Sequence, residues 1–170
     1  MFNNVLKLLE QIMNFLFNID EEVVIYYEDY REDPMPYRQK ILKDFRVLEV
    51  LTDIIFLSKD YMTRIDSKPS VQFWIEKISS NAYHALRYSI REYRPNELYC
   101  FQWIDFILEQ IDQPKKDKTK VLDNEVAGRL FTELVDNNEK ILDEKISDET
   151  IRNIVKYLVE VDSNKRYVKI

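Results

Sequence analysis

The first candidate for chemistry in this sequence is a basic segment, YRQKILKDF, at residues 37–45. Lys40 and Lys43 are three residues apart on one face of a predicted helix, beside its apolar stripe, with Arg38 and Gln39 near the helix start. Two ammonium groups on one face supply point charges that can attract a phosphate. The segment is therefore a candidate for non-covalent binding of an anion.

A second basic cluster lies about fifty residues later, in RYSIREYRP at residues 87–95. Arg87, Arg91 and Arg94 recur at helical spacing and end at a proline. Cations near a helix C-terminus interact favourably with its exposed carbonyl groups, by roughly 0.3 to 1 kcal/mol each, which accounts for the arginines. It does not account for Tyr93, whose hydroxyl could join Arg94 as a second donor to a phosphate oxygen. A helix end and half of an anion site are both open interpretations.

The other reactive side chains are more simply explained by packing. His84 lies close to the core stripe of a predicted helix, and Cys100 lies between Tyr99 and Phe101 in an apolar one. A catalytic nucleophile needs a base within reach, and no such spacing is visible. The acidic segments EDYRED and DEKISDE lack the calcium-binding spacing and its turn glycine. The sequence predicts no enzyme activity, no metal and no cofactor.

Composition limits the fold as well as the function. The 170 residues include one glycine, Gly128, one cysteine and one histidine. Hairpins, sandwiches and doubly wound sheets need glycine at tight turns, so its scarcity favours helices joined by polar loops. Glycine-rich phosphate loops and dinucleotide-binding fingerprints are excluded for the same reason. Zinc fingers and disulfide scaffolds are excluded by the single cysteine and histidine.

Charge and hydropathy restrict the partners. A net charge of -6 argues against a nucleic-acid-binding surface, so any anion site must be local. No apolar run reaches the length of about 18 residues that a membrane span needs, and the N-terminus has no signal-peptide pattern. We therefore expect a soluble segment, not inserted in a membrane, in a reducing compartment.

Apolar residues at three- and four-residue intervals predict the first three helices. They run from about Asn3 to Asn18, from Tyr37 to about Leu57, and from Ser70, as N-cap, to about Tyr93, with a loop at residues 58–69. The predicted core stripes are Val5, Leu8, Leu9, Ile12, Phe15 and Leu16; Tyr37, Ile41, Phe45, Leu48, Leu51 and Ile55; and Val71, Ile75, Ile78, Ala82, Ala85 and Ser89.

The second half predicts further helices. A fourth begins around Asn96, with Leu98, Phe101, Ile104, Leu108 and Ile111 on its inner face, and a fifth carries Leu122, Val126, Leu130 and Leu134. Shorter patterns follow at residues 139–145 and from the N-cap Ser147, and the last, KRYVKI, stops abruptly, as in a domain excised from a longer protein. Six or seven helices with short connections fit a compact bundle and an armadillo- or HEAT-like stack equally. No internal repeat separates these two architectures.

Three segments, in this order, resemble segments of the RIH domain that inositol trisphosphate receptors and ryanodine receptors share. They are RQKILKDFRVLEVL at residues 38–51, YSIREYRPNELY at 88–99 and ELVDNNEKILDEKISDETIRNIVKYL at 133–158. The similarity runs from about residue 4 to residue 170, and the inositol trisphosphate receptor is the closer of the two. The resemblance implies one all-α domain over residues 1–170, built as an armadillo-like stack of antiparallel helices.

The resemblance also implies a ligand site. In that receptor, basic residues of this helical domain and of a β-trefoil domain grip the phosphates of a ligand held between them. The positions here that match the family's phosphate-binding elements are Arg38, Gln39, Lys40, Lys43, Tyr93 and Arg94. Among them, Lys40 and Lys43 correspond to phosphate contacts.

Two family cations are replaced by proline in this sequence. An arginine before the RQK element falls at Pro36, and a lysine after the tyrosine–arginine pair falls at Pro95. The trefoil half is absent from these 170 residues. Each lost charge-assisted hydrogen bond costs about 1.5 to 3 kcal/mol, so we expect weak or no binding of inositol trisphosphate by this chain alone.

Two functional hypotheses follow. The first is a regulatory domain of an inositol trisphosphate receptor-like calcium-release channel, on the cytosolic face of an endoplasmic reticulum-type membrane. It would couple ligand binding to gating through neighbouring domains and subunits. The alternative is an armadillo- or HEAT-like protein-interaction scaffold without a ligand. Only the first requires Lys40, Lys43, Tyr93 and Arg94 to converge on one surface patch.

Overall fold

The computed structural model describes residues 2–19, 33–64, 69–112 and 124–135, together with 148 and 151–152. Every regular element in these ranges is helical, and the prediction of an all-α stack is confirmed. The helices are α1 (Phe2–Phe17), α2 (Pro36–Asp44), α3 (Val47–Arg64), α4 (Pro69–Ile90), α5 (Arg94–Cys100), α6 (Ile104–Asp112) and α7 (Asn124–Val135), with a short 3-10 helix, Phe101–Trp103, between α5 and α6.

The long helix α4 is the centre of the described stack. Helices α1, α3 and α7 all pack against it, and α6 packs against α7. The side chains of Tyr83 and Tyr88 are completely buried in the core that these helices share. Burying a large apolar side chain stabilises a fold by about 1.5 to 3 kcal/mol. The predicted stripe of α4 is buried from Ile75 to Ser89, and that prediction is confirmed.

Three of the described helices end at residues in the left-handed conformation, and none of these residues is glycine. Asn18, Arg46 and Glu92, which follow α1, α2 and α4, have φ angles of 57°, 59° and 54°. Glycine is usual at this position because a Cβ atom makes the conformation cost about 1 to 2 kcal/mol. The turn after α2 fixes the direction in which the chain leaves the first basic cluster, and the turn after α4 lies within the second.

The prediction of one continuous helix from residue 37 to residue 57 is wrong. The chain turns at Phe45 and Arg46, which separates α2 from α3. The α3 half of the predicted stripe is buried, but Tyr37, Ile41 and Phe45 are 56%, 37% and 77% exposed. Because the turn rotates α2 relative to α3, α2 buries a different face, which carries Gln39 and Leu42.

Other boundaries also differ from the prediction. Helix α3 continues to Arg64 through the predicted loop, because no helix-breaking residue occurs between residues 58 and 64. Helix α4 begins at Pro69, so Ser70 lies inside it and is not the N-cap. The predicted fourth helix is divided into α5 and α6, and two predicted core residues, Leu8 and Leu98, are 53% and 51% exposed. Leu122, Ser147 and the patterns at residues 139–145 and 165–170 lie outside the described residues.

Candidate anion site where helix α2 meets helix α5

The two basic segments meet where α2 packs against α5. The ammonium group of Lys43 donates a hydrogen bond of 3.0 Å to the carbonyl oxygen of Pro95, which is 52 residues later in the chain. The same ammonium group lies 5.3 Å from the centre of the Tyr99 ring. Lys43 therefore joins α2 directly to the first and last turns of α5.

Two buried amide side chains hold the segments together. Gln39, 1% exposed, donates hydrogen bonds from Nε2 to the carbonyl oxygens of Tyr88 (2.9 Å) and Arg91 (2.8 Å) at the end of α4. Asn96, 0% exposed, donates from Nδ2 to the carbonyl oxygens of Gln39 (2.9 Å) and Ser89 (2.8 Å). The last carbonyl groups of a helix lack intrahelical partners, and these amides satisfy those of Tyr88, Ser89 and Arg91 at the end of α4. The contact between α2 and the α4–α5 corner is thus specified by side chains.

Lys40 lies on the exposed side of α2. Its ammonium group pairs with Asp44, one helical turn later, at 2.5 Å, and the two side chains are 62% and 52% exposed. The hydrogen bond from Lys40 to Asp44 raises the pKa of Lys40, and attraction to the charge of Asp44 adds to the effect, with a smaller contribution from Tyr93. Lys40 is therefore paired within α2 itself, whereas Lys43 reaches the α4–α5 corner.

Tyr93 and Arg94 form that corner. Tyr93 is the half-buried N-cap residue of α5, and its carbonyl oxygen accepts hydrogen bonds from the backbone N–H groups of Asn96 (2.9 Å) and Glu97 (3.2 Å). Arg94 is exposed and is the first residue of α5. Helix α5 begins two residues before the predicted start at Asn96, because proline is well suited to the first turn of a helix.

Arg38 and Gln39 are engaged in structural contacts. The guanidinium group of Arg38 donates hydrogen bonds to the carbonyl oxygen of Phe15, the side-chain oxygen of Asn18 and the hydroxyl of Tyr37. It also lies 5.0 Å from the centre of the Phe15 ring. Arg38 caps the C-terminus of α1, and Gln39 caps that of α4. Of the six predicted site residues, Lys40, Lys43, Tyr93 and Arg94 lie in the α2–α5 region. The other two, Arg38 and Gln39, make structural contacts with the ends of α1 and α4 instead.

The other two arginines of the second cluster bind carboxylates. Arg87 donates hydrogen bonds to Glu133 on α7, and Arg91 lies 3.4 Å from Asp33 and 4.0 Å from Glu133. These partners could not be predicted from local sequence patterns, because they lie far away along the chain. A glutamate inside the apolar pattern of α7, one residue before the buried Leu134, is the local signal that could have indicated an interhelical ion pair.

His84 of α4 and Cys100 of α5 are the buried groups that the sequence singled out for possible chemistry, and no described residue completes a catalytic constellation around them. Burial lowers the pKa of His84 to about 4, with further lowering by Arg87 and Arg129, and neither ring nitrogen has a hydrogen-bond partner. Burial raises the pKa of the Cys100 thiol, which keeps the sulfur protonated. Within the described ranges, no cluster of side chains has the composition of a metal site.

This arrangement can attract an anion but does not present it with an open site. Two ammonium groups, one guanidinium group and a phenolic hydroxyl come from two segments, and each lysine already has an oxygen partner. Asp44 neutralises Lys40 at a spacing of four residues, a helical pairing that the sequence itself indicates. An incoming phosphate therefore has to compete with oxygen atoms of the protein itself.

Comparison with known proteins gives one match. The family model described as the RIH domain matches residues 6–170, a range that contains both α2 and α5. No curated protein and no solved structure matches this chain. In the described part of the chain, none of the helices combines the length and hydropathy needed to cross a membrane.

Proposed function

Because the chain belongs to the RIH domain family, which inositol trisphosphate and ryanodine receptors share, we propose that it is a regulatory domain of a receptor-like calcium-release channel. In this proposal the domain lies on the cytosolic face of an endoplasmic reticulum-type membrane. It contributes half of an inositol phosphate site, and a β-trefoil domain of the parent protein contributes the other half. Contacts with neighbouring domains and subunits carry the effect of binding to the gate.

The observation that best supports this proposal is the 3.0 Å hydrogen bond between Lys43 and the carbonyl oxygen of Pro95. It brings two basic segments that are 52 residues apart in the chain into direct contact. The proposed phosphate ligands are Lys40, Lys43, Tyr93 and Arg94. Charge-assisted hydrogen bonds from such groups are the usual means of holding a phosphate.

In the proposed site, Arg38 and Gln39 position the ligating residues without touching the ligand. Both are occupied by carbonyl oxygens at the ends of α1 and α4. A ligand that shifts α2 would therefore also strain the hydrogen bonds that join α2 to α1 and α4. This mechanical link supports a role in transmitting the effect of binding to neighbouring domains.

The affinity of this half-site is expected to be low. An exposed ion pair such as Lys40–Asp44 stabilises a protein little and yields readily to another anion. Lys43 is a more demanding contact, because releasing it removes a hydrogen bond between two helices. The ligand must supply at least the interactions that it displaces. Tight binding therefore requires cations from the second domain.

An interaction scaffold without a ligand is the second candidate function. It is supported by the structural hydrogen bonds of Arg38 and Gln39. The ammonium groups of Lys40 and Lys43, which also have oxygen partners within the protein, support it as well. In a scaffold, these polar side chains serve only to fix α1, α2 and α5 around α4. The two candidates make opposite predictions for phosphate binding.

Calorimetry on the chain joined to the β-trefoil domain of its parent, titrated with inositol 1,4,5-trisphosphate, tests the ligand role. We expect binding that weakens by about tenfold or more in Lys40→Ala and in Lys43→Ala, the size expected for one charge-assisted hydrogen bond. The matched control is Lys77→Ala, an exposed lysine in the N-terminal half of α4, which should leave the affinity unchanged. Absence of heat, or equal losses in all three variants, would leave the scaffold as the better account.

A further inference from the structure

Five apolar residues of α3 follow the spacing of one seam of a coiled coil. The intervals between them are three, four, three and four residues, so at about 100° per residue they lie along one narrow line of the helix. They are Val47, Val50, Ile54, Leu57 and Tyr61. We call this line the α3 seam.

The α3 seam lies beside the face that α3 buries in the core. The buried face carries Leu48, Leu51 and Ile55, which are 0%, 0% and 2% exposed. In the seam, by contrast, Val50, Leu57 and Tyr61 are 52%, 66% and 40% exposed, whereas Val47 and Ile54 are half-buried and reach the edge of the core. Single exposed apolar residues need no explanation. Here three of them recur along one line of a single helix, at the spacing by which one helix contacts another.

Charged residues follow the outer edge of the α3 seam at seven-residue intervals. Arg46, Asp53 and Asp60 each directly precede a seam residue, at the coiled-coil position whose charges meet those of a partner helix. Arg46 is 81% exposed in its side chain and Asp53 is exposed, whereas Asp60 is half-buried. Along most of its length, therefore, the seam has an acidic edge.

From this spacing and this charge pattern we propose that α3 is the docking site for an amphipathic helix of a partner protein. The partner helix carries its own apolar seam of about two heptads, with lysine or arginine residues opposite Asp53 and Asp60. Its apolar residues cover Val50, Leu57 and Tyr61, and its cations pair with the acidic edge. This interaction is independent of the anion site, because it uses none of that site's residues.

A second copy of this chain fits the α3 seam less well than a basic helix does. In an antiparallel pair that aligns Val50 with the second Tyr61, Asp53 of each copy faces Asp60 of the other. Shifting the register to pair Arg46 with Asp60 places the two Asp53 side chains against each other and leaves Tyr61 beyond the seam. Like charges that face each other across such a contact destabilise it.

Two synthetic helical peptides of about 21 residues, identical in their isoleucine–leucine seam, test this proposal. One carries lysine at its edge positions and the other carries glutamate. Fluorescence anisotropy with the 170-residue chain should show binding of the lysine peptide about tenfold tighter than that of the glutamate peptide. Leu57→Glu should weaken binding of the lysine peptide by about tenfold or more, because it places a charge in the seam.

Leu98→Glu is the matched control, since Leu98 on α5 is also about half exposed and lies outside the seam. It should leave binding unchanged, and circular dichroism should show both variants folded, because both side chains face solvent. Asp53→Lys should reduce the preference for the lysine peptide by about threefold or more.

Several results would overturn the proposal. Equal affinity for the two peptides, or equal losses in Leu57→Glu and Leu98→Glu, would show only nonspecific apolar adhesion. An unchanged preference in Asp53→Lys would remove the acidic edge from the recognition. A dimer in sedimentation that Leu57→Glu dissociates would assign the seam to a second copy of the chain.

Discussion

Arg87 of α4 and Glu133 of α7 form a largely buried ion pair, in which Nε and Nη2 of the guanidinium group each lie 3.0 Å from Oε1 of the carboxylate. The two side chains are 14% and 17% exposed. This pair connects the central helix α4 to α7, which packs against it. It also explains why an arginine of the second basic cluster is unavailable to a ligand.

Glu133→Gln should destabilise the protein by about 2 kcal/mol, because it leaves the Arg87 guanidinium largely buried without a counter-charge. The free energy of unfolding, measured by urea denaturation and circular dichroism, gives the effect directly. The control is Glu109→Gln, whose partner is Lys59 and whose side chain is 57% exposed; it should cost less than about 1 kcal/mol. Similar losses in the two variants would contradict the role assigned to burial.

The fold could be predicted from the sequence wherever one apolar stripe faces one core. Helix α4 is such a case, since its stripe from Ile75 to Ser89 is buried. Scarcity of glycine predicted helices correctly, but the helix predicted over residues 37–57 contains a turn. Arg46 takes the left-handed conformation that glycine usually takes, and its residue type does not indicate this. The predicted stripe across residues 37–55 therefore joined two faces that point in different directions.

The candidate site was predictable in its residue types and not in its hydrogen bonds. Charge and spacing indicated Lys40, Lys43 and Arg94, and the resemblance to the RIH domain matched them to the phosphate-binding elements of that family. What the sequence could not supply was the acceptor of each donor. The carbonyl oxygen of Pro95 is a backbone group that every residue possesses, so only the fold makes it the partner of Lys43.

Gln39→Met should destabilise the protein by about 2 to 3 kcal/mol. The substitution preserves the length of the side chain but leaves two carbonyl groups at the end of α4 without their amide donor. Gln102→Met makes the same chemical change at an exposed glutamine that donates to the carbonyl oxygen of Tyr99, and it should shift stability by less than about 0.5 kcal/mol. Urea denaturation of the two variants compares them, and a larger loss in Gln102→Met would be incompatible with this assignment.

Asp44→Asn should strengthen anion binding at the proposed site, because it removes the carboxylate that competes for Lys40. We expect an affinity for inositol trisphosphate about two- to fivefold higher, measured by the same calorimetry. A second measurement does not depend on the ligand. NMR titration should show a lower pKa of Lys40 in Asp44→Asn than in the unsubstituted chain, since Asp44 raises that pKa. A lowered pKa without any gain in affinity would refute the ligand role of Lys40 while confirming its pairing with Asp44.

His84 should make the protein sensitive to mild acid. Its pKa in the folded protein is about 4, below the ordinary value of 6.5, mainly because its burial disfavours the imidazolium form. Protons therefore bind more readily to the unfolded chain, and stability is lost as the pH falls from about 6.5 towards 4. A difference of this size corresponds to roughly 3 kcal/mol at pH 4.

The His84→Leu variant separates this effect from the titration of carboxylates, which are the same in both proteins. Between pH 7 and pH 4, the free energy of unfolding of the parent chain should fall by roughly 3 kcal/mol more than that of His84→Leu. NMR titration of the His84 ring in the folded parent chain should give a midpoint near pH 4, well below the ordinary value. If the stabilities of the two proteins fall in parallel with pH, the protonated imidazole must reach solvent in the folded protein. Only a ring that stays buried has a lower pKa in the folded than in the unfolded state.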